Sequence, residues 1–242
     1  MTAGPVSRLR VWVATDIGKV RRENEDCVGA GDTILQSPTG RFNLELPFGE
    51  AADAVIVADG VGGGCGGKVA ASLAVETFLG RRVDVADIGS LARLIDGVSE
   101  SIRLFCTQNS ATRGGATTLA GLLFSRTFAL AFNIGDSRVY RICSGELELL
   151  SQDHVSSSDA RTLTRFLGGS GVMATPYCRE IDFLPGNRYL VCSDGLYGVV
   201  ANDQLLQLAR ISDGALAVEA LIATALEAGA PDNVTIALCD PV

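Results

Sequence analysis

The chain is 242 residues long, 47% hydrophobic and 20% charged, which suggests one large domain or two small ones, with a sizeable buried core. A net charge of -8 excludes nucleic acid as the main partner, since phosphate-backbone binding needs a basic surface, and no apolar run approaches the roughly 18 residues that span a bilayer. Seven cysteines without a C-x-x-C pair, one histidine and no apolar stretch in Met1–Arg8 leave no disulfide framework, multi-histidine zinc site or signal peptide, so reduced thiols and a cytoplasmic location are expected.

Leu9–Thr15 alternates apolar and polar residues, the pattern of a half-buried strand. It runs into the charge-dense Asp16–Asp26, which reads as a solvated loop except that Asp26 abuts the apolar Cys27-Val28. Residues 32–50 hold Pro38, Gly40 and Pro47 and predict a loop or hairpin around the alternating Arg41–Leu46. Ala54–Ala58 is a short apolar run, a buried strand that stops on Asp59. Six glycines follow between Gly60 and Gly67, and Val69–Leu79 then has helical spacing.

This glycine segment admits several readings. Gly62-x-x-x-x-Gly67-Lys68 begins like a phosphate-binding P-loop, but Val69 stands where the magnesium-binding hydroxyl belongs. Gly62-x-Gly64-x-x-Gly67 satisfies a dinucleotide fingerprint. Asp59 as a metal ligand beside a closely approaching backbone is a third reading, and a tight turn with positive φ is the fourth.

A second helix is predicted over Ile88–Cys106, from Leu91, Leu94, Ile95, Val98, Ile102 and Phe105. Thr117–Phe124, Phe128–Ile134, Arg138–Cys143 and Glu146–Leu150 follow as strands, with Gly135-Asp136-Ser137 as one of the turns. Such an antiparallel meander opposes both nucleotide-binding readings, which need parallel strands joined by helices. Ala160–Leu167 reads as a short helix, Arg179–Phe183 and Arg188–Cys192 as strands, Asp203–Ala209 and Ala215–Glu227 as helices, and Val234–Leu238 as the last strand.

Five aspartates border these apolar runs: Asp26, Asp59, Asp136, Asp194 and Asp232. If the strand ends converge, the clustered carboxylates raise one another's pKa unless cations offset them. Oxygen-only ligation suits Mg²⁺ or Mn²⁺, and two such ions about 3.5–4 Å apart activate a shared water. Arg21 could then clamp phosphate oxygens through parallel hydrogen bonds.

The ordered motifs Val20-Arg21-x-x-Asn24-Glu25-Asp26, Ala58-Asp59-Gly60-x-Gly62-Gly63, Gly115-Ala116-Thr117-Thr118, Gly135-Asp136-Ser137-Arg138, Asp153-His154, Leu163-Thr164-Arg165-x-Leu167-Gly168, Cys192-Ser193-Asp194-Gly195-Leu196 and Asp232-Asn233-Val234-Thr235 resemble the PP2C (PPM) family of metal-dependent protein Ser/Thr phosphatases. The resemblance implies an α+β fold, a four-layer α-β-β-α sandwich of two mainly antiparallel sheets flanked by helices, over a single domain 1–242. It implies two Mn²⁺ or Mg²⁺ ions: Asp59 bridges both, the Gly60 carbonyl binds one, Asp194 and Asp232 hold the other, and Asp26 and Glu25 act through bound waters. Arg21 takes the substrate phosphate, Asp136 serves a third, weaker metal, and Asn233 orients Asp232. The implied activity is hydrolysis of phosphoserine and phosphothreonine by a metal-bridging hydroxide.

Two departures from the family stand out. Val61 replaces a histidine that some members place after the central Asp-Gly, and only Val155–Thr162 stands where a flap subdomain is usual. A flapless form resembles phosphatases that oppose a Ser/Thr kinase in type VI secretion clusters. The expected partners are a phosphorylated protein and a cognate kinase, and the chain is expected to be a monomer. The alternative is a catalytically weak PP2C-like module that binds phosphoproteins.

Overall fold

The computed structural model describes residues 7–62, 65–159, 162–169 and 175–242. The first strands are β1 (Arg8–Asp16), β2 (Cys27–Ala30), β3 (Thr33–Leu35), β4 (Thr39–Pro47), β5 (Asp53–Ala58) and β6 (Gly60–Val61). Helices α1 (Cys65–Arg81) and α2 (Ile88–Gln108) follow. Next come β7 (Ala116–Thr117), β8 (Leu119–Phe124), β9 (Ala129–Ile134), β10 (Arg138–Cys143), β11 (Glu146–Leu149), β12 (Leu167–Gly168), β13 (Tyr177–Glu180) and β14 (Arg188–Cys192). The chain closes with α3 (Asp194–Tyr197), α4 (Asn202–Ala209), α5 (Gly214–Glu227) and β15 (Val234–Pro241).

One six-stranded sheet has the order β11-β10-β14-β15-β1-β4, the other β13-β9-β8-β5-β2-β3, and β12-β7-β6 form a small third sheet. Every pairing is antiparallel. Side-chain alternation sets the layers. Val11, Val13, Val55, Val57, Leu122, Ala237 and Cys239 fill the space between the two large sheets. Ile56, Leu123 and Phe132 face α1 and α2, where Phe78, Leu91 and Ile95 meet them. Ile236, Leu238 and Leu190 face α4 and α5 through Leu205 and Leu221. Central strands buried on both faces lose polar alternation, which is why Ala54–Ala58 reads as a continuous apolar run. Each fully buried Leu or Ile contributes about 1.5–3 kcal/mol. The α-β-β-α sandwich expected from the motifs is what these layers form. No helix among the described residues is long and apolar enough to cross a membrane.

Several local expectations change. The meander breaks between β9 and β10, which lie in different sheets. Gly135-Asp136-Ser137 is therefore a crossover, not a hairpin turn. Gly135 has φ +94°, and a Cβ there would lie 2.5 Å from Thr118 Cγ2. The run from Thr117 to Phe124 divides at Thr118 into β7 and β8, because Thr118 N–H donates to the Asp59 carbonyl at 2.9 Å. The helix expected over residues 160–167 is not formed at 162–167, while 160 and 161 lie outside the described residues. Leu163 there bridges Val155, and Leu167 pairs with Thr117. The strand expected at Arg179–Phe183 is shifted to β13. Helix α1 starts at Cys65, four residues earlier than its apolar spacing indicated, and α3 was not foreseen.

Candidate metal centre and active site

Strand register carries the aspartates to one end of both sheets. Cys27 pairs with Ala58, so Asp26 and Asp59 sit side by side where β2 begins and β5 ends. Leu119 pairs with Ile134, bringing the Asp136 crossover to the same end. In the facing sheet Cys192 pairs with both Ile236 and Arg138, so Asp194, Asp232 and Asp136 flank neighbouring strands. Ser193 links the two layers: its hydroxyl donates to Asp26 Oδ2 at 2.8 Å and accepts the Thr235 N–H at 3.0 Å.

Asp26 and Asp59 are fixed by neighbouring small polar side chains. The Asp59 N–H donates to Thr118 Oγ1 at 3.0 Å, and its carbonyl accepts from Thr117 Oγ1 at 2.8 Å. Thr118 in turn shares a 2.7 Å hydrogen bond with Ser137, beside Asp136. The Asp26 N–H donates to Asn24 Oδ1 at 3.1 Å. Asn24 is buried and also donates to Thr15 Oγ1 and the Ser37 carbonyl, both at 2.8 Å. Tyr197 donates to the Asp136 carbonyl at 2.8 Å. Its ring lies 3.7 Å from the Arg138 guanidinium, which grips Asp153 at 2.7 Å.

These carboxylates repel one another. Burial, with Asp194 and Asp232 nearby, pushes Asp26 up to about 7 despite help from Thr235 and Ser193. Burial also raises Asp59 well above the usual range, and Asp26, Asp194, Asp136 and Asp232 add to the shift. Burial and Asp194 raise Asp136 to about 6. Asp194 is raised by burial and Asp232, and shares a hydrogen bond with Asp59. Asp232 accepts from Arg21 Nη2 at 2.5 Å, so all five predicted aspartates and the predicted arginine meet.

Asn233 does more than face Asp232. Its backbone N–H donates to Asp232 Oδ1 at 2.9 Å, but its side chain binds the loop that carries Arg21. Nδ2 donates to the Ile17 and Glu23 carbonyls at 2.9 and 3.0 Å, and Oδ1 accepts the Glu25 N–H at 2.9 Å. Gly60 is a point of close packing: a Cβ there would lie 2.5 Å from the Gly67 carbonyl carbon and 2.8 Å from the Glu25 carbonyl oxygen. Gly67 itself leaves no space for a Cβ beside Glu25 Oε2. Glycine at 60 and 67 thus lets the first turn of α1 rest on β6. With β5 antiparallel to both neighbours, the P-loop and dinucleotide readings fall. Gly63 and Gly64 lie outside the described residues.

His154 is tied to the crossover that carries Asp136, its N–H donating to the Gly135 carbonyl at 2.9 Å. Its Nδ1 accepts the Gly135 N–H at 3.2 Å, and burial followed by Arg165 lowers its pKa. Cys27, Cys106, Cys192 and Cys239 are buried in the packing and Cys65 is exposed; burial pushes Cys27 up to about 12 and Cys178 up to about 11. Asn24, Ser193, Thr118, Ser137 and Tyr197 received no role from sequence. A signal existed for four of them, a hydroxyl or amide within two residues of an acid or in the Thr117-Thr118 pair.

The donor chemistry fits a hard divalent cation. Among the described residues, Asp26 Oδ1 and Asp194 Oδ1 are buried without a hydrogen-bond partner, and such oxygens need a positive ligand or a proton. As the side chains are placed, no three acidic, cysteine or histidine residues among those described are gathered tightly enough to cage an ion. The fit therefore rests on the orphaned oxygens and the all-oxygen donor set.

Comparison with known proteins agrees with this arrangement. The chain is 30% identical over 254 residues to the serine/threonine protein phosphatase PstP of Mycobacterium tuberculosis. That match covers 97% of this chain and 45% of PstP, so the chain spans about half the length of that relative. A solved structure of the PstP catalytic domain in complex with two manganese ions superposes with a TM-score of 0.76 at 29% identity, over 96% of this chain and 98% of that one. PppA of Pseudomonas aeruginosa, described as a key regulatory component of the type VI secretion system, gives 0.78 at 29% identity over 98% and 99%. The protein phosphatase 2C pattern itself matches residues 48–234, from just before β5 to the first residue of β15. With motifs, sheet order and sequence in agreement, the chain belongs to the protein phosphatase 2C family.

Proposed function

We propose that the chain is a metal-dependent protein phosphatase that hydrolyses phosphoserine and phosphothreonine in one step, without a phosphoenzyme. The observation that carries this reading is the set of five aspartates at one sandwich end, with raised carboxyl pKa values and orphaned oxygens, beside the half-exposed Arg21. Asp59, the Gly60 carbonyl, Asp194 and Asp232 would hold two Mn²⁺ or Mg²⁺ ions, with Asp26 and Glu25 behind them and Asp136 serving a weaker third. When bound, such ions supply a water of lowered pKa and draw charge from the phosphoryl oxygens.

The protein's own groups do the rest. Arg21 offers a planar fork to the phosphate dianion, exchanging its bond to Asp232 for a pair of charge-assisted bonds. Asn233 pins the Arg21 loop at three points, so the guanidinium is aimed before substrate arrives. Val61 has no proton to give, so the leaving alkoxide takes its proton from solvent in the cleft.

The substrate is a phosphoprotein and the reaction reverses a Ser/Thr kinase. The likeness to PppA supports a place in type VI secretion signalling. The segment after His154 is short: Val155 bridges Leu163, and Ser156 N–H donates to the Thr162 carbonyl at 2.8 Å. We read the cleft as open on that side, with specificity supplied by docking of the partner.

Para-nitrophenyl phosphate and a phosphothreonine peptide test the reading. Turnover should require Mn²⁺ or Mg²⁺, stop with EDTA and be lost in Asp59→Asn. Cation binding without turnover would turn the reading to a phosphoprotein-binding module. A phosphoproteome of an Asp59→Asn strain should show accumulated phosphoserine or phosphothreonine on secretion components, and its absence there would remove the secretion link.

A further inference from the structure

The two large sheets present four edge strands, β11 and β4 in one and β13 and β3 in the other. Three are short: four residues in β11 and β13, three in β3. Strand β4 has nine residues, all paired with β1 in unbroken register. Apart from that ladder, no described residue hydrogen-bonds to the backbone of Gly40–Leu46. A long, straight edge is a template for another strand, and proteins usually interrupt it with a bulge, a proline or a charge that repels a second copy. Here the only proline is Pro47, at the very end of β4.

The charges on β4 are arranged to attract a second copy. Arg41 and Glu45 lie symmetrically about Asn43, on the same face of the strand. We propose that β4 pairs antiparallel with β4 of a second copy about a two-fold axis at Asn43, in place of the monomer expected from sequence. In that register Arg41 of each copy faces Glu45 of the other, and Phe42 faces Leu44. The contact is isologous, so it closes as a dimer and does not propagate. It joins two six-stranded sheets into one.

Two observations favour a second copy over another occupant. Leu35, Phe42 and Leu44 are only partly buried at this margin of the core between the sheets, and a twin edge covers the same apolar row that it presents. The face is also not acidic, although the whole chain carries -8. Arg8, Arg10 and Arg41 stand against Glu45 and Glu219, in exposed pairs at 2.9–3.1 Å. Such exposed pairs are weakly held, so Arg41 can exchange Glu219 for the facing Glu45 at little cost.

Sedimentation equilibrium of the full chain tests this. The wild type should show a reversible monomer–dimer equilibrium. Arg41→Glu and Glu45→Arg should each weaken it at least about tenfold, because two like-charged pairs then face each other. The double variant Arg41→Glu/Glu45→Arg should regain dimerisation, and an equimolar mixture of the two single variants should form a mixed dimer. Para-nitrophenyl phosphate turnover unchanged in every variant would show that the fold is intact. A wild type that stays monomeric up to about 1 mM, or a dimer indifferent to both single reversals, overturns the proposal.

Discussion

At the end of the sandwich where β5 and β14 begin, carboxylates are matched with guanidinium groups. Arg188 grips Asp240 through two bonds of 2.5 Å and also donates to the Ala209, Ile211 and Ser212 carbonyls. Arg82 joins Asp53 at 2.7 Å to Asp32 at 2.8 Å. At the opposite end five aspartates gather, and among the described residues only one of them, Asp232, is paired with an arginine, Arg21. The same strands supply both ends, so the difference lies in the residues placed where each strand starts and stops. One end is electrostatically complete and holds the layers together. The other stores repulsion, which a cationic ligand can relieve.

Exchanging the roles of the two ends gives the largest expected effects. Asp59→Asn should lower kcat by about a thousandfold while leaving the melting temperature unchanged or raised, since it removes one repelling charge. Arg188→Met should do the reverse. It strands Asp240 and three carbonyls, at a cost of about 3–5 kcal/mol in denaturant unfolding, with kcat per folded molecule preserved. If both variants lost stability equally, the contrast between the ends would be gone.

The pH dependence of stability should also differ between them. Asp26 at about 7 and Asp136 at about 6 hold protons more tightly in the folded chain than in the unfolded one. Their contribution is full below about pH 4 and is lost as pH rises toward 7. Glu45, lowered by Arg8 and then Arg10, acts in the opposite sense and loses its contribution as pH falls. In EDTA the melting temperature should therefore drop on the order of 5 °C between pH 5 and pH 7.5. Saturating Mn²⁺ should abolish that drop, and a flat profile in EDTA would show that the acids are not strained. The smallest effect is expected from Asn233→Ala, which frees the Arg21 loop. Mn²⁺ affinity by calorimetry should weaken about 10–100-fold, and the melting temperature should fall as well, because the buried Asn233 side chain leaves three backbone partners behind.

The acidic end was legible in sequence because each aspartate stops or precedes an apolar run, and a strand buried on both faces is hard to mistake. The crossover at Asp136 was not. A three-residue link containing glycine looks locally like a hairpin turn, and only packing of Gly135 over Thr118 sends β10 to the other sheet. The start of α1 was hidden for a related reason. Gly66 and Gly67 have poor helix propensity, and glycine stands at both because the Gly115 and Gly60 backbones pack closely against this turn. The parts of Asn24 and Ser193 are likewise tertiary: each bonds across segments that sequence alone does not bring together. Residues 162–167 do not form the expected helix because Leu163 and Leu167 serve as strand partners for Val155 and Thr117.

The last strand of the chain, β15, lies between β14 and β1, and Asn233 just ahead of it holds Ile17, Glu23 and Glu25. During synthesis four of the five acids leave the ribosome well before the segment that locks them in place. A prematurely terminated product would carry Asp26, Asp59, Asp136 and Asp194 but no scaffold to unite them. The late insertion of this central strand makes its synthesis a prerequisite for assembling the site.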